Sequence, residues 1–84
     1  MMTDYITFRS VTVAQRGEKI LSAAGIRCAV RRTPRWMEEQ GCGYCIRLSG
    51  ADAKDALALL QKNQLSWRRV YHQREDGTLE ERRV

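Results

Sequence analysis

The sequence predicts an α+β domain in which two amphipathic helices interleave with four strands in the order β-α-β-β-α-β. Three observations carry that expectation: two segments with apolar residues at helical spacing, four short segments rich in β-formers, and Gly, Pro or Asn at the junctions between them.

Tyr5-Ile-Thr-Phe8 alternates as a strand does, with Ile6 and Phe8 on one face and Tyr5 and Thr7 on the other. Ser10 can accept a hydrogen bond from a free first-turn amide, and so cap a helix running to about Ala24. Ala14, Gly17, Leu21 and Ala24 form its apolar stripe, widened by Val13 and Ile20. Gly17 would cost an exposed helix about 1 kcal/mol relative to alanine. On a buried stripe it is expected to permit close approach of helix to sheet. Gly25 then ends the helix with the residue type that tolerates a left-handed conformation.

The second strand, Ile26 to Arg31, sends Ile26, Cys28 and Val30 one way and Arg27, Ala29 and Arg31 the other. A loop from Arg32 to about Gly43 is marked by Pro34 and two glycines. The third strand, Tyr44 to Leu48, places Tyr44, Ile46 and Leu48 on the core face and Cys45 and Arg47 on the opposite one. The second helix, Asp52 to Asn63, buries Ala53, Ala56, Leu57 and Leu60, and Asn63 suits its C-terminal turn. Leu65 to Tyr71 forms the fourth strand, where the poor alternation of Trp67-Arg-Arg-Val-Tyr fits a bulge. This order is the ferredoxin-like one, with both helices on one face of a four-stranded antiparallel sheet and the other face open. A single domain over residues 4–72 is expected. Residues 73–84 follow as a frayed polar tail or as a short hairpin closed by Asp76-Gly77, with Leu79 pairing back.

Composition narrows the class. A chain of 84 residues buries only about 60% of its unfolded surface, which leaves room for one sheet and two helices. A hydrophobic fraction of 43% beside a charged fraction of 30% is that of a soluble globular domain. No apolar run approaches the ~20 residues of a membrane span. The first residues lack a signal peptide's apolar stretch, so the cytoplasm is the expected compartment. An odd count of three cysteines argues for reduced thiols rather than a disulfide framework. The net charge of +5 favours an anionic partner without distinguishing nucleic acid from a small anion or an acidic protein face.

The chemistry concentrates in "TPRWMEEQGCGYCIRL", residues 33–48. Cys28 lies in phase with Ile26 and Val30 and is expected in the helix-covered core. Cys42-Gly-Tyr-Cys45 has the C-x-x-C spacing of a redox pair, but a strand follows it where redox sites open a helix. Fully extended, the two cysteines would lie about 10 Å apart at ~3.3 Å per residue, beyond the ~7 Å reach of a disulfide unless Gly41 and Gly43 fold the loop back. A structural zinc site needs four ligands, and beyond this pair the chain offers only Cys28 and the single His72. No metal or other cofactor is expected. Cys42 remains as a solitary reactive thiol between Gly41 and Gly43, whose amides can form an anion-binding nest. Arg35 in the loop and Arg47 on the open face, joined by Arg27 and Arg31, would lower the thiol pKa, whereas Glu38 and Glu39 would raise it. A loop cysteine with no function fits the same spacing.

Over residues 4 to 72 the chain resembles a family of small selenium/sulfur carrier-like proteins. The likeness lies in "YITFRSV", "EKILSAAGI", the Thr33-Pro-Arg35 tripeptide, "CGYCIRL", "DAKDALALLQKNQLSW" and the closing Val70-Tyr71. The resemblance assigns the family's characteristic cysteine to Cys42, its glycine to Gly43, and its Pro-Arg to Pro34 and Arg35. Cys45 departs from the pattern, falling where a small apolar residue is expected, and is either a resolving thiol or inert. What the resemblance implies is a carrier that holds a persulfide or selenosulfide on Cys42 and passes it between proteins. The donor would be cysteine desulfurase-like, and the carrier need not be a turnover enzyme. The anionic group would be stabilised by Arg35 or Arg47.

Two other readings fit the same layout. An open basic sheet face is how RRM domains bind nucleic acid, with Tyr5 and Trp67 as stacking rings. However, "YCIRLSG" lacks the RNP signature of that class. Alternatively the face pairs with a second copy, its arginines met by Glu80 and Glu81, giving a homodimerisation or sensor domain without a ligand.

Overall fold

In a computed structural model, which describes residues 2–33 and 43–82, the chain forms two helices and a five-stranded antiparallel sheet. The elements are β1 (Thr3–Phe8), α1 (Val11–Ala23), β2 (Cys28–Arg32), β3 (Tyr44–Ser49), α2 (Ala53–Lys62), β4 (Val70–Gln73) and β5 (Leu79–Arg82). The strands lie in the order β2-β3-β1-β4-β5. This is the expected α+β class with one strand more than the four expected. Asp76 accepts from the Thr78 amide at 2.9 Å and from its hydroxyl at 2.7 Å, while Gly77 takes a φ of 90°. That turn returns the chain along β4, pairing Gln73 with Leu79 and Val70 with Arg82. Ion pairs of Arg74 with Glu80 and of Arg69 with Glu81 tie the two strands across their exposed sides.

β1 is the inner strand on which the sheet assembles, pairing with β3 on one edge and β4 on the other. Ile6 and Phe8 are fully buried beneath both helices, where they meet Ile46, Leu21, Leu60 and Val70. Each such side chain contributes roughly 1.5–3 kcal/mol relative to an exposed position. Gly17 sits where α1 crosses this layer. A Cβ there would lie 3.0 Å from Ile46 Cδ1 and 3.3 Å from Leu60 Cδ2, so its missing side chain sets the distance between helix and sheet.

The helix ends explain two shifted strand boundaries. Ser10 Oγ accepts from the Val13 amide at 3.3 Å, as the cap requires. At the other end Gly25 has a φ of 85°, and the amides of Gly25 and Ile26 return to Ser22 and Leu21. This is a Schellman closure. It uses the Ile26 amide, so β2 begins at Cys28 rather than at Ile26. The second helix closes in the same way, with Gln64 at a φ of 60° and the Leu65 amide bonded to Leu60. Leu65 thereby joins the core instead of starting the fourth strand, which begins only at Val70.

Between them lies the bulge that the poor alternation suggested. Arg68 and Arg69 both oppose Thr7: the Arg68 amide donates to the Thr7 carbonyl at 2.7 Å, and the Thr7 amide donates to the Arg69 carbonyl at 2.8 Å. The Thr7 hydroxyl accepts from the Arg69 amide at 3.0 Å and donates to the Arg69 carbonyl at 3.3 Å. Thr7 itself is 1% exposed, so its hydroxyl finds both its partners in the bulged strand. Thr7→Val keeps the shape and removes the acceptor. It is expected to lower stability by about 0.5–1.5 kcal/mol, the net worth of a typical hydrogen bond, while Thr7→Ser retains most of it. Urea denaturation of the two variants measures the difference.

Candidate functional site

On the sheet face away from the helices, adjacent strands bring Tyr5, Arg31, Cys45 and Arg47 together. Cys45 stands directly between Thr7 on β1 and Arg31 on β2, while Arg47 stands beside Tyr5 and Ala29. With Arg32 these residues line a cleft of about 570 Å³. Arg31 and Arg47 are exposed and have no carboxylate partner among the described residues. The Tyr5 hydroxyl donates to Gln73 Oε1 at 3.2 Å, which steadies the ring at the cleft wall. The cleft is electropositive and suits a small anion.

The open face expected from the strand pattern is closed at its centre: Cys45 and Thr7 are each only 1% exposed. Both stand opposite each other on the inner strands β1 and β3. Cys45 is a free thiol. Burial pushes its pKa up, because a thiolate there would lose water. The Thr33 hydroxyl and the Arg31 charge act in the opposite direction without overcoming that loss. Thr33 is itself buried, and its hydroxyl makes no regular hydrogen bond among the described residues, so it influences the thiol by proximity.

Of the residues singled out by sequence, Arg47 and Cys45 share this cleft, and Arg31 joins them as its strand phase required. Arg27 precedes β2 and is not part of the lining. Gly43 leads into β3, its carbonyl accepting from the Thr33 amide at 3.0 Å. Pro34, Arg35, Gly41 and Cys42 lie outside the described residues. Cys28 does face the helices, but on the edge strand β2 it is only half-buried. Its sulfur lies 3.9 Å from Ser22 Oγ and from the Glu18 carbonyl. Burial raises its pKa, Ser22 lowers it and the Glu18 charge raises it further.

A second polar group went unread in the sequence. Asp4 is fully buried and His72 6% exposed, and they are direct partners across β1 and β4. His72 Nδ1 lies 2.5 Å from Asp4 Oδ1. A carboxylate only accepts, so the ring nitrogen donates. Gly50 admits this pair, since a Cβ there would lie 3.3 Å from Asp4 Oδ1 and 3.4 Å from His72 Cε1. Asp4 Oδ2 has no partner among the described residues. The i, i+2 phase of Asp4 with Ile6 and Phe8 was the available signal. Among the described residues no three His, Cys, Asp or Glu side chains gather as metal ligands, and no helix is long and apolar enough to cross a membrane.

The fold and cleft define a small α+β domain carrying a basic, thiol-containing site. The family described as "Putative Se/S carrier protein-like" matches residues 4–72, and the chain belongs to it. No curated protein and no solved structure matches the chain.

The Cys45 environment has a measurable consequence. In the native protein at neutral pH, Cys45 is expected to react with iodoacetamide at least about tenfold more slowly than in urea, read by peptide mass spectrometry. An unfolded thiol ionises near its ordinary value of 9.0, and the native one only at higher pH. The stability this contributes is complete below pH 9.0 and is lost as pH rises through the native pKa. The denaturation midpoint should therefore fall less steeply above that pH in Cys45→Ala than in the parent chain.

Proposed function

We propose that this protein carries sulfur or selenium as a persulfide or selenosulfide on Cys42, receiving it from a cysteine desulfurase-like donor and yielding it to an acceptor protein. The observation that carries this reading is the basic cleft around Cys45, three residues from Cys42, in a chain of the Se/S carrier-like family. In loading, the Cys42 thiolate attacks the terminal sulfur of the donor persulfide. A new S–S bond forms as the donor's S–S bond breaks, and the donor leaves as a thiolate. Delivery repeats the exchange with an acceptor thiolate, so neither step needs an external oxidant or reductant. The terminal persulfide is anionic, and Arg31 and Arg47 supply the compensating charge. Arg35 is a further candidate for that role.

In this reading Cys45 does not act as a resolving thiol at neutral pH. As a thiolate it would attack the inner sulfur of the Cys42 persulfide, form a disulfide and expel hydrosulfide. Burial opposes that by holding Cys45 protonated. The closed centre of the sheet face also favours a small anion over stacked nucleobases on that face.

The test is intact-protein mass spectrometry after incubation with a cysteine desulfurase and cysteine. A sulfur-mass adduct is expected on the parent chain and on Cys45→Ser, and is expected to be absent from Cys42→Ser. Arg31→Ala and Arg47→Ala together should reduce the adduct's yield severalfold at equal time. Loss in both cysteine variants would show that the two thiols act as a unit, and no adduct with this donor, supplied with either cysteine or selenocysteine, would overturn the carrier reading.

A further inference from the structure

β2 ends the sheet on one side, so alternate residues turn their backbone groups away from β3. The Thr33 amide donates to the Gly43 carbonyl across the strand ends, and alternation from that pair turns Cys28, Val30 and Arg32 outward. One of these outward groups is held by the chain itself: the Val30 amide donates to Glu18 Oε2 at 3.3 Å. The carboxylate stands where the carbonyl of an added strand would stand. The core is also incompletely covered along this edge. Ile20, Cys28 and Val30 pack against it but are only half-buried, whereas Ile6, Ile46 and Val70 on the inner strands are fully buried. Arg27 and Arg31 bracket the edge. Both are exposed, and neither has a carboxylate partner among the described residues.

We propose that the β2 edge is a docking site for an extended acidic segment of a partner protein, which adds to the sheet and displaces Glu18 from the Val30 amide. Strand phase defines the segment. Antiparallel to β2, like the described pairs of this sheet, it exchanges backbone hydrogen bonds with Cys28 and Val30. Its residues opposite those two face the helix side and are apolar, which extends the cover over the core. Its residues opposite Arg27 and Arg31 face the other way and are acidic, four positions apart. A small anion would answer the arginines but not the row of backbone groups. A second β2 would bring its own Arg27, Arg31 and Arg32 against these, and like charges on paired strands repel. The proposal does not rest on the carrier reading, and its test involves no thiol chemistry.

The probe is a pentapeptide blocked at both ends, Glu-Val-Thr-Val-Glu, titrated into the ¹⁵N-labelled chain and followed by NMR. Saturable shifts of the Cys28 and Val30 amides are expected, with slowed hydrogen exchange at Cys28 and little change in β5. N-methylation of both valines removes the two donors that face β2 and should weaken binding about tenfold. Lysine in place of both glutamates should weaken it at least about threefold. Glu18→Ala frees the Val30 amide and should tighten binding at least about threefold. Glu18→Gln loses the charge but keeps an acceptor, and should tighten it less. Equal binding of the N-methylated peptide would overturn the proposal, as would no shift in β2 at millimolar peptide in either the parent or Glu18→Ala. Shifts confined to Tyr5, Arg31 and Arg47 would overturn it in favour of the anion cleft. Protection of the β2 edge that rises with the concentration of the peptide-free Glu18→Ala chain would overturn it in favour of a second copy.

Discussion

The pairing of β1 on both its edges is the constraint on which the rest of this structure depends. An inner strand has no spare backbone groups, and its side chains alternate strictly between the two faces of the sheet. Ile6 and Phe8 therefore anchor the core, and Asp4, in the same phase, is carried into the interior with them. Tyr5 and Thr7 go to the opposite face, where one walls the thiol cleft and the other locks the bulge. A slip of one residue would exchange these sets, exposing two core residues and burying a tyrosine hydroxyl. The register of one six-residue strand thus places both the thiol cleft and the buried Asp4–His72 pair.

Burial gives the polar groups of this small domain their character. At Cys45 the removal of water outweighs a nearby hydroxyl and a nearby cation, so the thiol is held protonated on a face whose charges would otherwise activate it. At Asp4 the same removal of water is met by His72 on one oxygen only. At Thr7 it is met in full, because one hydroxyl can both accept from and donate to the bulged residue. The three cases differ in how many partners the neighbouring strand supplies.

The two faces consequently suit different chemistry. The face away from the helices gathers arginines with no carboxylate partner among the described residues around a shielded thiol, an arrangement that favours a small anion. The helix-covered side buries the Asp4–His72 pair, with one carboxylate oxygen that has no partner among the described residues.

Local patterns determined the elements, the two helix stripes, the Ser10 cap, the closure at Gly25 and the inward phase of Ile6, Phe8, Ile46 and Leu60, because each depends on neighbours within a few residues. Family membership, and with it the expectation of a carrier cysteine at Cys42, was also legible in the chain, through its Pro-Arg and Cys-Gly motifs. Tertiary structure alone decided what lies across a strand boundary. It showed that Ile26 and Leu65 close helices rather than open strands, that Thr7 meets the Arg68–Arg69 bulge, and that a fifth strand pairs with β4. It also buried Cys45 on a face that alternation had marked as open, and joined Asp4 to His72 across 68 positions of sequence. Periodicity reports which way a side chain points, whereas burial and partnership depend on what other strands bring to the same place, and only the assembled sheet fixes that.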